Sequence, residues 1–227
     1  MNCRFCNKEL TKKFASLGAT PLSNAYLKKE ELQKDETSYP LEAYVCDNCF
    51  LVQLPEFESP KNIFGDYAYF SSYSQTWLDH SKEYVNKMIK LLGINKFSQV
   101  VEIASNDGYL LQYFMQNDIP VLGVEPATNV AKVAQENGIP TEVAFFGIDT
   151  AKRLVLEGKT ADLLLGNNVL AHVPNLNDFV EGLRILLKPN GMITMEFPHL
   201  FKLIEGSQFE TIYHEHFSYF SLLTVQK

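Results

Sequence analysis

The chain has 227 residues, a formal net charge of −7 and an isoelectric point near 5.3. That length suffices for one ordinary core with a small appendage, and the acidic balance excludes a broad electrostatic footprint for nucleic acid. Met1-Asn2-Cys3-Arg4 is no apolar leader and no run reaches the roughly 20 apolar residues of a membrane helix, so a soluble cytoplasmic protein with neither nucleic acid nor membrane as partner is expected.

All four cysteines fall into two CxxC pairs, Cys3 with Cys6 and Cys46 with Cys49. Two such pairs turn four thiolates toward one zinc ion, and four sulfur ligands leave no open position for water, which makes the site structural. Disulfides and free buried thiols are the alternatives, and the missing secretory leader weighs against the first. Between the pairs a short helix is expected near residues 29–33, within a charged run read as a solvated face.

Beyond Pro55 and Pro60 comes DYAYFSSYS, residues 66–74, dense in rings and hydroxyls. It reads either as a linker packing its rings on the next domain or as a lid offering stacking surfaces and donors to a ligand, with Tyr67 first among them. A helix follows over 75–92; Trp77 and His80 receive no role.

From residue 99 strands and helices alternate, which predicts a parallel sheet covered on both faces. Strands are expected at 100–103, 121–124, 141–145, 163–166 and 192–197, with helices between them at 130–136, 150–156 and 179–187. The first strand runs into a helix through Ser105, Asn106, Asp107 and Gly108, the kind of junction where α/β proteins bind small molecules. It lacks the GxGxxG that brings backbone to a pyrophosphate, and its acids, Glu102 and Asp107, would repel phosphate. S-adenosylmethionine (SAM), a sulfonium carrying an ammonium group and no phosphate, tolerates such acids. Glu125, ending the second strand in GVEP, has two oxygens to accept from vicinal ribose hydroxyls. The fourth strand ends in Asn167 and Asn168, with His172 shortly after, at the same mouth. An ordinary polar turn, a solvated strand-end acid and a helix-capping histidine are the bland alternatives.

The last cluster, TIYHEHFSYFS over 211–221, adds to a tail holding three of the five histidines. His214 and His216 lie i and i+2, unlike the i, i+4 pair of metalloproteases. If the segment is extended, Tyr213 and Glu215 face one way, His214 and His216 the other, and either pair could work as a base held by a partner. A polar surface loop is the alternative.

Taken in order, CRFC, CDNC, DYAYFSSYS, EIASNDGYLL, GVEP, NNVLAHVPNLNDFVEGL, EFPHL and TIYHEHFSYFS closely resemble the nucleotide-sugar C-methyltransferase family of deoxysugar biosynthesis. The resemblance implies an α/β protein: a zinc-binding domain over 1–60, an aromatic linker or lid with a helix over 61–95, and a Rossmann-like SAM methyltransferase domain over 96–227. It implies methyl transfer to a carbon beside the ketone of a dTDP-linked 4-keto sugar. At matching positions His216 resembles the general base, with Tyr213, Glu215, His172 and Tyr67 lining the sugar site. Glu125 would hold the SAM ribose and Ser105 to Gly108 its methionine end, with Glu102, Pro126, Asn167 and Asn168 completing the cofactor set. The chemistry suits these residue types, since removing a proton beside a ketone takes a base and a donor for the enolate oxygen, here Tyr213 or His172, and no catalytic metal. Family members continue past this point and SAM methyltransferase sheets end with two more strands, so a truncated chain is expected. Rival readings are an O- or N-methyltransferase on a nucleotide sugar, and a noncatalytic zinc- and SAM-binding module.

Overall fold

A computed structural model describes residues 1–65 and 67–227; Asp66, which opens the aromatic segment, lies outside the described residues. In chain order the elements are β1 (Lys12–Thr20), β2 (Tyr39–Val45), β3 (Val52–Gln53), α1 (Pro60–Phe64), α2 (Gln75–Leu92), β4 (Val100–Ile103), α3 (Leu111–Met115), β5 (Val121–Val124), α4 (Thr128–Glu136) and β6 (Thr141–Glu142). They continue with α5 (Ile148–Leu156), β7 (Ala161–Asn167), α6 (Leu176–Leu186), β8 (Leu187–Glu196), α7 (Leu200–Glu205), β9 (Ser218–Tyr219) and α8 (Leu222–Val225). Among the described residues no helix is long and apolar enough to cross a membrane.

The chain forms two compact units. One comprises Met1–Ile63, Asn168–Asn177 and Phe197–Lys227, the other Phe64–Asn167 and Asp178–Glu196.

The second unit holds a parallel five-stranded sheet in the order β6-β5-β4-β7-β8. Every residue of β4 and β5 is buried, as expected of central strands covered on both faces. Val85, Met88, Phe114, Leu163 and Leu165 are among the core side chains. Helix α2 starts at Ser74, whose hydroxyl accepts from the Trp77 amide at 3.3 Å, and stops at Gly93 with φ 66°, a serine cap and a left-handed glycine stop. The third strand was expected to reach residue 145 but is shorter. Among the described residues β6 is an edge strand paired with β5, and the register places Glu142 opposite Val124, where β5 ends. Beyond that point the pairing does not continue among the described residues, and Val143 and Phe145 turn to solvent. The fifth strand starts early, at Leu187, directly after α6, with its register irregularity between Ala161 and Leu163 of β7.

The first unit is built on an antiparallel sheet, β1-β2-β3-β9. Leu41, Ala43, Val52, Leu54, Leu200 and Tyr219 make its core. The helix expected near residues 29–33 is a single 3-10 turn, Lys29–Glu31. Pairing of Val52 with Tyr219 and Gln53 with Ser218 sets the C-terminal segment on the cysteine-bearing one. The histidine cluster just before β9 is a turn, closed by the His216 amide on the Tyr213 carbonyl at 2.9 Å. The strict alternation expected of an extended segment therefore does not hold.

Candidate active site

The first unit brings the four cysteine sulfurs within 4.8 Å of one another, with Cys3 to Cys49 at 3.5 Å and Cys6 to Cys46 at 3.4 Å. A disulfide needs about 2.05 Å, whereas tetrahedral zinc, with bonds of about 2.3 Å, sets sulfurs about 3.8 Å apart. Asn7 at φ 59° and Phe50 at φ 64° close the two knuckles, their amides on the Cys3 and Cys46 carbonyls at 2.9 Å. Gln53 Nε2 donates to Cys3 Sγ at 3.2 Å. A closed set of four sulfurs fits a structural zinc ion. Arg4, between the first two cysteines, donates Nη1 to the Pro174 carbonyl at 3.0 Å and Nη2 to the Leu54 carbonyl at 2.5 Å. Its guanidinium also lies 5.4 Å from the centre of the Phe217 ring.

The segment carrying His172 and the turn carrying His216 meet in this same unit. His216 Nδ1 lies 2.8 Å from the Thr211 carbonyl. A carbonyl only accepts, so Nδ1 carries the proton and the neutral ring bears its lone pair on Nε2. The Tyr213 hydroxyl, 2.9 Å away, donates to that nitrogen. Burial lowers the His216 pKa below its ordinary 6.5, opposed by the Thr211 carbonyl, so the ring is neutral at pH 7. His172 stands beside it with ring centres 4.7 Å apart, its Nδ1 donating to the Glu215 carbonyl at 2.9 Å. Burial, then the neighbouring His216, lowers the His172 pKa to about 3. Burial, then the Glu215 charge, raises Tyr213 to about 12. His214 departs from the pairing expected of it. Its Nε2 donates to the Pro40 carbonyl at 3.2 Å and its ring is edge-on to Tyr39 and Phe57, so it is a buried packing residue.

In the second unit the loop after β4 gathers most of the residues expected to hold cofactor. Both Glu125 oxygens are gripped by backbone, Oε2 by the Asn106 amide at 2.9 Å and Oε1 by the Ala127 amide at 2.8 Å, beside Pro126. Each oxygen keeps a further lone pair for a hydroxyl. Burial raises the Glu125 pKa against the pull of those amides. Glu102 is fully buried, and burial, reinforced by Glu125 and Asp107, pushes its pKa well above the carboxylate range. Among the described residues Ser105 Oγ and Asp107 Oδ1 are buried oxygens without hydrogen-bond partners. A ligand with a multi-donor cation such as an ammonium answers that deficit. Gly108, at φ 80°, packs so tightly on Ile139 that a Cβ would collide with it. Asn167 ends β7 in this unit, whereas exposed Asn168 at φ 54° falls in the other.

Asn106 and Asp107 do something the sequence reading did not assign to their side chains. The Asn106 carboxamide accepts from the Ser71 amide at 2.9 Å and donates to the Tyr69 carbonyl at 3.1 Å, and Asp107 Oδ2 accepts from the Ser72 amide at 3.2 Å. Asn129 of α4 takes both backbone groups of Tyr67, at 3.1 and 2.8 Å. The aromatic segment is thus strapped by its backbone to the cofactor-type loop. No sequence signal singles out Asn129 for this role.

Ala104 in this loop adopts φ 56°, a left-handed conformation that costs an L-residue about 1 kcal/mol and glycine little. Ala104→Gly should raise the urea midpoint by the equivalent of about 1 kcal/mol; an unchanged or lower midpoint would contradict strain at this position.

Residues 3–64 match a family described as a putative zinc binding domain, and residues 101–193 one described as a methyltransferase domain. The C-methyltransferase NovU of Streptomyces niveus is 36% identical over 220 residues, which are 97% of this chain and 52% of that protein. The chain therefore spans about half the length of this curated relative. Two solved structures share the fold with a TM-score of 0.52 each. The PH0226 protein of Pyrococcus horikoshii OT3 is 20% identical, covering 67% of this chain and 72% of its own. A SAM dependent methyltransferase of Archaeoglobus fulgidus is 19% identical, covering 66% and 65%. The chain has a Rossmann-like fold shared with methyltransferases, preceded by a small four-cysteine region consistent with zinc binding.

Proposed function

We propose that this chain catalyses SAM-dependent methylation of a carbon beside the carbonyl of a nucleotide-linked keto sugar, with His216 as general base. The observation that carries the reading is the His216 tautomer: with Nδ1 committed to the Thr211 carbonyl, Nε2 offers a lone pair at neutral pH. An imidazole so fixed suits removal of a proton from carbon. The C-methyltransferase relative and the order of motifs along the chain support carbon as the methylated atom.

SAM when bound supplies an electrophilic methyl group. Glu125 would accept from its ribose hydroxyls, while Ser105 and Asp107 would answer its ammonium group, with Glu102, Gly108, Pro126 and Asn167 around them. The Tyr213 hydroxyl first turns from Nε2 to the substrate carbonyl oxygen as donor, which frees the Nε2 lone pair. His216 Nε2 then takes the α-proton, and the electron pair of the broken C–H bond moves onto the carbonyl oxygen. The Thr211 carbonyl steadies the imidazolium, and His172 remains neutral beside it. The enolate carbon so formed is the nucleophile to which bound SAM would supply its methyl group.

The test is deuterium exchange at the α-carbon of a dTDP-4-keto sugar in D2O, with S-adenosylhomocysteine (SAH) present and SAM absent. Exchange is expected; methylation of a hydroxyl or amine without exchange would replace this reading by O- or N-methyl transfer. Glu125→Ala should weaken SAH binding by about tenfold or more in calorimetry, because it removes a buried acceptor of two hydroxyls; unaltered affinity would refute the assignment.

A further inference from the structure

Glu215 is 2% exposed and lies between the two histidines of the turn. Its Oε1 accepts from Asn24 Nδ2 at 2.8 Å, across 191 residues of sequence, while Oε2 is buried without a partner. Asn24 belongs to the connection between β1 and β2 in the same unit, at φ 56°, a conformation asparagine tolerates better than most residues. Its amide can face only one way. A carboxylate oxygen takes the Nδ2 donor, which leaves Oδ1 for the Tyr26 hydroxyl at 3.4 Å. The Tyr26 ring is 75% exposed. A relay therefore runs from an exposed aromatic through an amide to a buried carboxyl with one idle oxygen.

An unpartnered buried oxygen of this kind costs free energy until a donor reaches it. A hydroxyl suits it in both protonation states, donating to a carboxylate and accepting from a carboxylic acid. Burial raises the Glu215 pKa while the Asn24 amide lowers it.

We propose that Asn24 is a positioning residue for a hydroxyl-recognition subsite, holding Glu215 so that Oε2 meets a hydroxyl of the keto sugar, with the Tyr26 ring as its outer wall. The proposal rests on the sugar reading given above, and it assigns substrate discrimination to a loop of the zinc-binding-type segment.

The experiment uses the full zinc-loaded chain carrying 13C-labelled glutamate, titrated with two dTDP-keto sugars that differ by one ring hydroxyl. The Glu215 carboxyl signal should shift with the hydroxylated sugar and hardly with its deoxy analogue, and Asn24→Ala should abolish the difference. In the exchange assay the wild type should favour the hydroxylated sugar by about tenfold or more in KM. Asn24→Ala should reduce that preference to less than about threefold with kcat little altered, and unchanged zinc content checks that the unit stays folded. Without ligand, the variant should raise the pH at which Glu215 titrates, because the amide favours the carboxylate; Asn24→Asp, with a second acid at that distance, should raise it further. Equal loss on both sugars, a fall in kcat alone, or an unshifted Glu215 titration would each overturn the proposal. Absence of exchange with a shifting Glu215 signal would instead fault the carbon-methylation reading and leave the subsite standing.

Discussion

His216→Asn is expected to lower α-carbon exchange by about 10³-fold or more while SAH affinity stays within about twofold, as for a site sharing no contacts with the change. Asparagine preserves polarity and approximate size, and its carboxamide can still donate to the Thr211 carbonyl that fixes the imidazole. It has no basic nitrogen to take a proton from carbon. Tyr213→Phe should cost less, about 10- to 100-fold, because it removes a donor and leaves the base. The pH profile gives an independent check. The active form is the neutral ring, so the rate is level above the His216 pKa and falls as pH drops through it. Because burial lowers that pKa, the acid limb should fall below pH 6.5, the ordinary histidine value. Exchange followed by NMR in wild type and variant measures both effects. A limb above 6.5, or near-normal exchange in His216→Asn, would refute the assignment.

Stripping the metal from the cysteine cluster should abolish exchange and leave SAH binding to the sheet-bearing unit. The cysteines belong to the same compact unit as both histidine segments, and the links between them are direct. β3, which follows Cys49, pairs with β9, which follows His216. Arg4 holds the Pro174 carbonyl two residues beyond His172 and lies against Phe217. Asn177 Nδ2 donates to the Phe5 carbonyl at 3.0 Å, and Thr224 Oγ1 to the Cys49 carbonyl at 3.4 Å. Structural zinc contributes about 10–16 kcal/mol of apparent binding free energy, comparable with or larger than the whole stability of a domain. Chelation should therefore release the His172 and His216 ring signals to coil-like NMR positions, and Cys46→Ser should do the same without a chelator. Unchanged ring signals in metal-free protein would show that the sheet holds the turn unaided.

Local chemistry told the most. The valine- and isoleucine-rich runs of β4 and β5 marked strands to the residue, and two CxxC pairs marked a four-sulfur cluster although their partners lie 40 or more residues apart. What the sequence concealed was long-range partnership. Asn24 gives no sign that it meets Glu215, nor Asn129 that it clamps Tyr67, 62 residues earlier. Nor do Asn106 and Asp107 show in sequence that their side chains hold the aromatic strap, since a polar side chain at a strand end has no mark of which donor will reach it. In the tail, period-two reasoning set Tyr213 apart from His216. A turn joins them, because strand geometry begins only at Ser218, where β3 offers a partner.

The threading of the first unit has a consequence for biogenesis. Its sheet starts with β1 and is complete only when β9 closes on β3, and contacts such as Thr224 with Cys49 span 175 residues. During synthesis the knuckles can capture metal as soon as Cys49 emerges, while Val52 and Gln53 stand as an open strand edge with apolar Leu54 beside it. The run from Phe64 to Asn167 is synthesised next and contributes most of the parallel sheet before the closing strand exists. Such an open edge invites intermolecular pairing, and closing so long a loop is slow. Early metal loading is therefore expected to govern yield as well as stability, with zinc-starved synthesis giving aggregates seeded at β3.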